Sequence, residues 1–288
     1  MRFAELGTVY RRERSGVLHG LMRVRMITMD DAHIFCTADQ VNDEILATVD
    51  LCTDVLRTFG FDEFKIELSV RDPDAPQNYA GEPEQWDAAE AALASALDTR
   101  GLDYNTVKGE AAFYGPKIDI KMTDAIGRTW QASTIQFDFN LPFRFDAKYV
   151  GADGAEHHVV MVHRAVLGSM ERFMGILLEH YEGRFPVWLA PVQVVLINVG
   201  RETAAYAEQA GATLAGQGFR VQVDSGDDTV GAKIRKAELQ KVPYMLIVGK
   251  KELSEETVSV RSKKRGDEGS MRLDDFVARL KSEVESRA

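Results

Sequence analysis

The chain has 288 residues, 45% of them hydrophobic and 28% charged, with a formal net charge of −10; it is long enough for two domains and can bury a sizeable core. No apolar run approaches the ~20 residues of a membrane span, the N-terminus MRFAELGTVYRRERSG lacks the order of a signal peptide, and two cysteines, Cys36 and Cys52, are too few for a disulfide framework, so the expected location is cytoplasmic. The acidic balance excludes a general nucleic-acid coat but is uneven: residues 190–288 hold 16 Lys+Arg against 15 Asp+Glu while residues 1–189 carry net −11, so phosphate contacts are expected in the C-terminal part.

The start predicts a hairpin, ELGTVYRRER against LMRVRMITMDDAHIFC, joined by the glycine-containing SGVLHG. In DDAHIFC, alternation puts Asp31 and His33 on one strand face and Ile34 and Cys36 on the other. Such a cluster fits either a strand end with hydrogen-bonded polar residues at its mouth or half of a metal and substrate site. Asp39 is placed to cap a helix whose Ile45, Leu46, Val49, Val55 and Leu56 keep helical spacing up to Gly60. FKIELSV reads as a strand and EPEQWDAAEAALASALDTRG as a helix stopped by Gly101. The alternating runs EAAFYGPKIDIKMTD and RTWQASTIQFDFN, separated by AIG, read as an antiparallel pair. HVVMVHRAVLGSMERFMGILLEHY predicts a short strand feeding a helix.

After Pro186 the pattern becomes β-α-β-α-β: VQVVLINV, a helix over 202–217, RVQVD, a helix across VGAKIRKAELQ, and YMLIVG. TVSVRSK is expected as an edge strand before a C-terminal helix. The expected fold class is α/β with α+β: residues 1–187 as an antiparallel sheet with helices, residues 188–288 as a smaller α/β domain with a mostly parallel sheet.

Arg11 and Glu13, two residues apart, fall on one face of the predicted first strand. Planar guanidiniums that stay charged suit a polyphosphate, although a solvated cross-strand ion pair is the ordinary explanation. Arg172, in GSMERF, opens a helix that is otherwise apolar and there needs a partner.

In this order, TVYRRERSGVLHGLMRVR, AFYGPKIDI, WQASTIQFDF, VMVHRAVLGSMERF and QKVPYMLIVG resemble the class II threonyl-tRNA synthetases, over nearly the whole chain. The first looks like that family's second signature motif, the fourth like its third, the two between like substrate-pocket strands and the last like the anticodon-binding domain. The resemblance implies a threonine–tRNA ligase: the threonine carboxylate attacks the α-phosphate of ATP, and the terminal ribose hydroxyl of tRNA(Thr) then takes the acyl group from threonyl-adenylate. It implies Arg11 at the α-phosphate with Mg2+ shared among the phosphates, Glu13 on the adenine amino group, Arg23 towards the γ-phosphate, Gln131 in the ATP site and Arg172 over the adenine. Threonine would contact Asp31, Tyr114, Lys117, Gln136 and Ser169. A Zn2+ held in the family by one cysteine and two histidines implies His33 and His163 as metal ligands; its open position would take the amino group and hydroxyl of threonine, with Asp31 accepting from the hydroxyl, so that valine is refused. Glu252 and Arg261 match anticodon-contacting positions, and Arg261, Lys263, Lys264 and Arg265 would neutralise phosphates; a solvated charged edge is the ordinary explanation of that run.

Some positions depart from the family. Met26, Ile27 and Met29 stand where Gly, Phe and Gln are common. The chain is expected to begin inside the catalytic domain, N-terminally truncated, without the first signature motif that builds much of the family's homodimer interface, without the cysteine ligand and without an editing domain. Neither Cys36, on the face opposite His33, nor Cys52, inside a predicted helix, is a substitute. The alternative function is a non-catalytic tRNA-binding or regulatory module derived from such an enzyme.

Overall fold

Apolar residues at every second position bury one face of a sheet against helices and leave the other face polar, and this alternation organises the N-terminal half of the chain. The structure, a computed structural model, describes residues 1–287 in two units that divide between His180 and Tyr181, ahead of the 187/188 division expected from the sequence.

The first unit runs β1 (Arg2–Tyr10), β2 (Met26–Cys36), α1 (Val41–Thr58), β3 (Phe64–Val70), α2 (Pro83–Thr99), β4 (Tyr104–Lys108), β5 (Lys117–Thr123), β6 (Thr129–Asp138), α3 (Leu141–Arg144), β7 (Lys148–Val150), β8 (Glu156–His158), β9 (Val160–Ser169) and α4 (Met170–His180). Seven strands form one sheet in the order β1-β2-β9-β6-β5-β3-β4, antiparallel except where β4 pairs with β3. Ala32, Ile34, Ile118, Ile120, Ile135 and Val162 are buried on one face. There α1 packs on β9, β6 and β2, and α2 on β3 and β5, bringing in Ile45, Val49, Leu56, Leu93 and Leu97, none of them exposed. Each such side chain contributes roughly 1.5–3 kcal/mol of burial.

Two register shifts set which side chains reach the opposite face. Between β5 and β6, Ile120 pairs with Ser133 but Lys121 with Gln131, so Gln131 joins Thr134, Gln136 and Asp138 on the polar face despite its odd number. Between β2 and β9, Asp31 pairs with Ala165 but Met29 with Ser169. The extra backbone there is held by the Asp30 carboxylate, which accepts from the N–H groups of Val166 (2.9 Å), Leu167 (3.0 Å) and Gly168 (2.8 Å). Gly168 has φ +69°, and a Cβ on it would lie 2.6 Å from the Ala132 carbonyl oxygen, so only glycine fits without displacement.

The second unit contains β10 (Val194–Asn198), α5 (Ala204–Gly216), β11 (Val221–Asp224), α6 (Val230–Leu239), β12 (Tyr244–Val248), α7 (Lys250–Glu255), β13 (Thr257–Ser262), β14 (Gly266–Arg272) and α8 (Leu273–Ser286). Its sheet order is β11-β10-β12-β13-β14; the first three strands are parallel and the last two antiparallel. Leu196, Leu246 and Val260 pack with Leu214, Phe276 and Leu280 on one face, and Val195, Ile197 and Met245 with Ala237 on the other. Lys233 is buried with no carboxylate partner among the described residues, yet its ammonium donates to the Asn198 side-chain oxygen (2.7 Å) and the Asp224 carbonyl (3.1 Å), which offsets its desolvation.

Several expectations are corrected. β1 stops at Tyr10 and β2 starts at Met26, so 11–25 is a loop rather than two strand ends. Glu13 N–H turns back onto the Arg11 carbonyl (2.9 Å) and the Arg25 guanidinium takes the Glu13 carbonyl (3.2 Å), diverting groups a strand partner would need. The long run from Glu110 becomes a strand only at Lys117, because Pro116 has no N–H to give and Ala112 to Gly115 close a turn. Asp39 does not cap α1; its carboxylate takes the Thr37 hydroxyl, and Gln40 is the N-cap. The strand ending in Ser169 is ten residues long and central, not short. TVSVRS lies inside its sheet; the edge is β14, whose glycines and charges hid it.

Candidate functional site

A cleft of about 340 Å³ opens on the polar face of the first unit's sheet. Of the residues singled out from the sequence, Arg11, Asp31, Tyr114, Gln131, Gln136, His163, Ser169 and Arg172 line it. They come from five segments of the chain, gathered because β9 is inserted between β2 and β6.

One end is cationic. The Arg172 guanidinium donates to the Met22 carbonyl (2.9 Å) and the Gln131 carbonyl (3.3 Å), and its carbon lies 5.2 Å from the Trp130 ring centroid. Burial pushes its pKa down, as do the neighbouring charges of Arg23 and Arg11, while Glu13 pulls it up. Three guanidiniums thus share a neighbourhood with Glu13, which pairs with Arg23 at 3.7 Å. The expected placement of Arg11 and Glu13 on one strand face is overturned, since both lie on the loop, but Arg11 still meets Arg172 at the cleft.

The other end is aromatic and polar. His33 and His163, paired across β2 and β9, have ring centroids 4.7 Å apart in an edge-to-face arrangement. The His163 Nε2 lies 2.8 Å from the buried Asp138 carboxylate, which also accepts from the Asn140 and Leu141 N–H groups at the start of α3. Such a partner fixes the ring and leaves Nδ1 outside that bond. Tyr114 donates to the Gln136 side-chain oxygen (2.9 Å) and lies 5.8 Å from the His163 ring; burial, then Asp138 and Asp31, raise its pKa. Lys117 is not a cleft-lining residue: its ammonium pairs with Asp119 at 2.6 Å. Ser169 donates to Glu171 (2.9 Å) and accepts from the Arg172 N–H (3.3 Å).

The residues present do not complete a zinc centre. No group of three or more His, Cys, Asp or Glu side chains is arranged to hold a metal among the described residues, and a three-ligand site needs more than two imidazoles. Cys36, on the strand face opposite His33, and Cys52, in α1, are buried on the helix-covered side of the sheet, so neither thiol faces the two imidazoles; burial raises them to about 11 and about 12.

In the second unit, Glu252 caps α7 by accepting the Gly249 N–H (3.0 Å) and also takes the Ser270 hydroxyl (3.3 Å). Ser270 pairs with Ser259, two positions before Arg261 on β13, so Glu252 reaches the sheet face that carries Ser259 and Arg261. Arg261 contacts Glu238 of α6 at 3.4 Å.

Residues 1–181 match the tRNA synthetase class II core domain (G, H, P, S and T), and residues 193–283 match the anticodon binding domain. A threonine–tRNA ligase from Acidobacterium capsulatum is 54% identical over 288 residues, all of this chain and 42% of that protein; one from Nitrosococcus oceani is 52% identical over 284 residues, 99% of this chain and 44% of that protein. The chain therefore spans less than half the length of these relatives. The crystal structure of the RNA binding domain of threonyl-tRNA synthetase from Cryptosporidium parvum superposes with a TM-score of 0.91 at 38% identity, covering 98% of this chain and 70% of that one. The chain belongs to the class II threonyl-tRNA synthetase family.

In this synthetase-family cleft, several contributors escaped the sequence reading. Asp119 accepts from Lys117 (2.6 Å), Gln131 (2.6 Å) and Thr134 (3.1 Å); Asp138 holds His163; Trp130 underlies Arg172. Period two from Lys117 and from Gln136 leads to Asp119 and Asp138, a signal present in the sequence. Trp130 carries none, because its place depends on the register shift. No helix of the described residues is long and apolar enough to cross a membrane.

Proposed function

We propose that this chain carries the amino-acid-activating cleft and the anticodon-reading domain of a threonine–tRNA ligase. The observation that carries the reading is the meeting of Arg11 and Arg172, distant in sequence, with Asp31, Tyr114, Gln136 and His163 on one face of one sheet. MgATP is the substrate at the cationic end. Trp130 takes one face of the Arg172 guanidinium and leaves the other for the adenine, with Glu13 at the adenine amino group and Gln131 beside it. The threonine carboxylate attacks the α-phosphate, pyrophosphate leaves, and Arg11 stabilises the negative charge that grows there; Arg23 reaches the γ-phosphate. Asp31 and the Tyr114–Gln136 pair bind threonine, Asp31 accepting from its hydroxyl, with Lys117 and Ser169 at the pocket's margin. A site built around a substrate hydroxyl discriminates against an isostere that lacks it far better than an apolar wall does. His33 and His163 offer two imidazoles to a Zn2+ whose third ligand these residues do not supply. The acyl group then passes to tRNA(Thr), bound through Glu252 and Arg261.

Calorimetric titration with MgATP and with a non-hydrolysable threonyl-adenylate analogue tests this. The analogue is expected to bind the full chain at least tenfold more tightly than threonine, and Arg11→Ala or Arg172→Ala to weaken it at least tenfold. Equal binding by wild type and both variants would overturn the assignment. The incomplete ligand set favours a second reading, a tRNA-binding or regulatory module without activation chemistry. Threonine-dependent pyrophosphate exchange with added zinc separates the two.

A further inference from the structure

A cavity of about 790 Å³ in the second unit has no part in the reading above. Its floor is Tyr244, whose hydroxyl donates to Glu283 (2.8 Å) and accepts from Arg279 (2.8 Å). Arg279 also pairs with Glu268 at 2.9 Å, so the floor is a closed hydrogen-bond network with no free carboxylate aimed at a ligand. The side walls are apolar, formed by Phe185, Pro186, Val187 and Pro243.

The rim has the opposite character. Arg184, Lys263, Lys264 and Arg265 stand around the opening. The carboxylate contacts of Arg184 and Arg265 are long, 3.7 Å each, and Lys263 and Lys264 make no ion pair among the described residues. Burial pushes the Lys263 pKa down, and the like charges of Arg184 and Lys241 push it further, with Glu182 opposing them. Exposed cations with weak or no carboxylate partners above an apolar, ring-lined hollow suit a ligand with a planar apolar part and several negative charges. The volume lies within the range of small-molecule sites; an RNA backbone would instead run along an open groove.

We propose that this cavity is a second ligand site, taking a nucleoside di- or triphosphate with its base against Phe185 and Pro243 and its phosphates on Lys263, Lys264 and Arg184. The proposal does not depend on the activation chemistry assigned to the sheet cleft. The test is titration of the full chain with GDP and, separately, with inorganic triphosphate. GDP is expected to saturate a site that the Lys263→Ala/Lys264→Ala double variant weakens at least tenfold and Arg172→Ala leaves unchanged. Phe185→Ala should weaken GDP but not inorganic triphosphate, with thermal melts confirming that all variants fold. The proposal is overturned by any of four results: no saturable GDP binding; loss in Arg172→Ala but not in the lysine variant; equal affinity for GDP and triphosphate with Phe185→Ala silent; or an anticodon stem-loop whose binding needs both lysines and which GDP does not displace.

Discussion

Asp119 shows how one buried carboxylate organises the cleft. Its side chain is 4% exposed and meets the Lys117 ammonium, the Gln131 amide and the Thr134 hydroxyl, one from its own strand and two from β6. Removing one partner of a buried ion pair leaves the other charge uncompensated, at about 3–5 kcal/mol. Asp119→Asn puts an amide donor against two existing donors, so we expect it to lower unfolding stability by about 3 kcal/mol. It should weaken MgATP binding too, because Gln131 loses its anchor. Arg11→Ala, at an exposed position, should weaken nucleotide binding while leaving stability within about 0.5 kcal/mol. Urea unfolding together with calorimetry separates the two effects; wild-type stability in Asp119→Asn would show that the lysine pair contributes little.

Among the elements, the β5–β6 turn controls how Arg172 is presented. The Asp124 carboxylate accepts from Trp130 Nε1 (2.8 Å), Arg128 Nε (2.7 Å) and the Arg128 and Ile126 N–H groups. Burial alone would raise its pKa, but the hydrogen bonds from Trp130, Arg128 and the backbone outweigh it and hold the carboxyl down at about 2. Because the folded value lies below the unfolded one, the stabilisation is complete above about pH 4 and is lost as pH falls towards about 2. Trp130 should therefore loosen from Arg172 within that window. Tryptophan fluorescence followed from pH 7 to 2 is expected to shift below pH 4 in the wild type, whereas Asp124→Asn should already show the shift at pH 7. Identical acid titrations in the two proteins would remove Asp124 from this role.

At the scale of the molecule, β1 is an edge strand carrying Phe3, Leu6 and Tyr10 at 57%, 68% and 76% exposure. Unpaired backbone groups beside exposed apolar side chains template pairing with another chain. Sedimentation velocity should show concentration-dependent self-association that the double variant Leu6→Lys/Tyr10→Lys abolishes; a monomer at every concentration would refute it. The charge distribution gives a second prediction. Residues 190–288 are nearly balanced within a strongly acidic chain, so binding of an anticodon stem-loop should weaken steeply with salt. Arg261→Ala should cost about 1–3 kcal/mol and erase the preference for the cognate loop. If loops of unrelated anticodons already bind the wild type equally, base reading by Glu252 and Arg261 fails.

Local periodicity made most elements legible. FKIELSV is β3 to the residue, the β-α-β-α-β order of the second unit stands, and alternation alone puts Asp31 and His33 on one face of β2. These signals come from neighbours within a few positions, where strand and helix periods are set by backbone sterics. The sequence could not say that β9 would lie between β2 and β6, that a register shift would turn Gln131 to the cleft, or that Trp130 would end beneath Arg172. It also could not say that Arg11 and Glu13 would leave the strand, because the ladder stops where side chains and turns claim the backbone groups. Those outcomes belong to contacts between residues as far apart as His33 and His163, and register is fixed only when both strands and the helices covering their apolar face pack together.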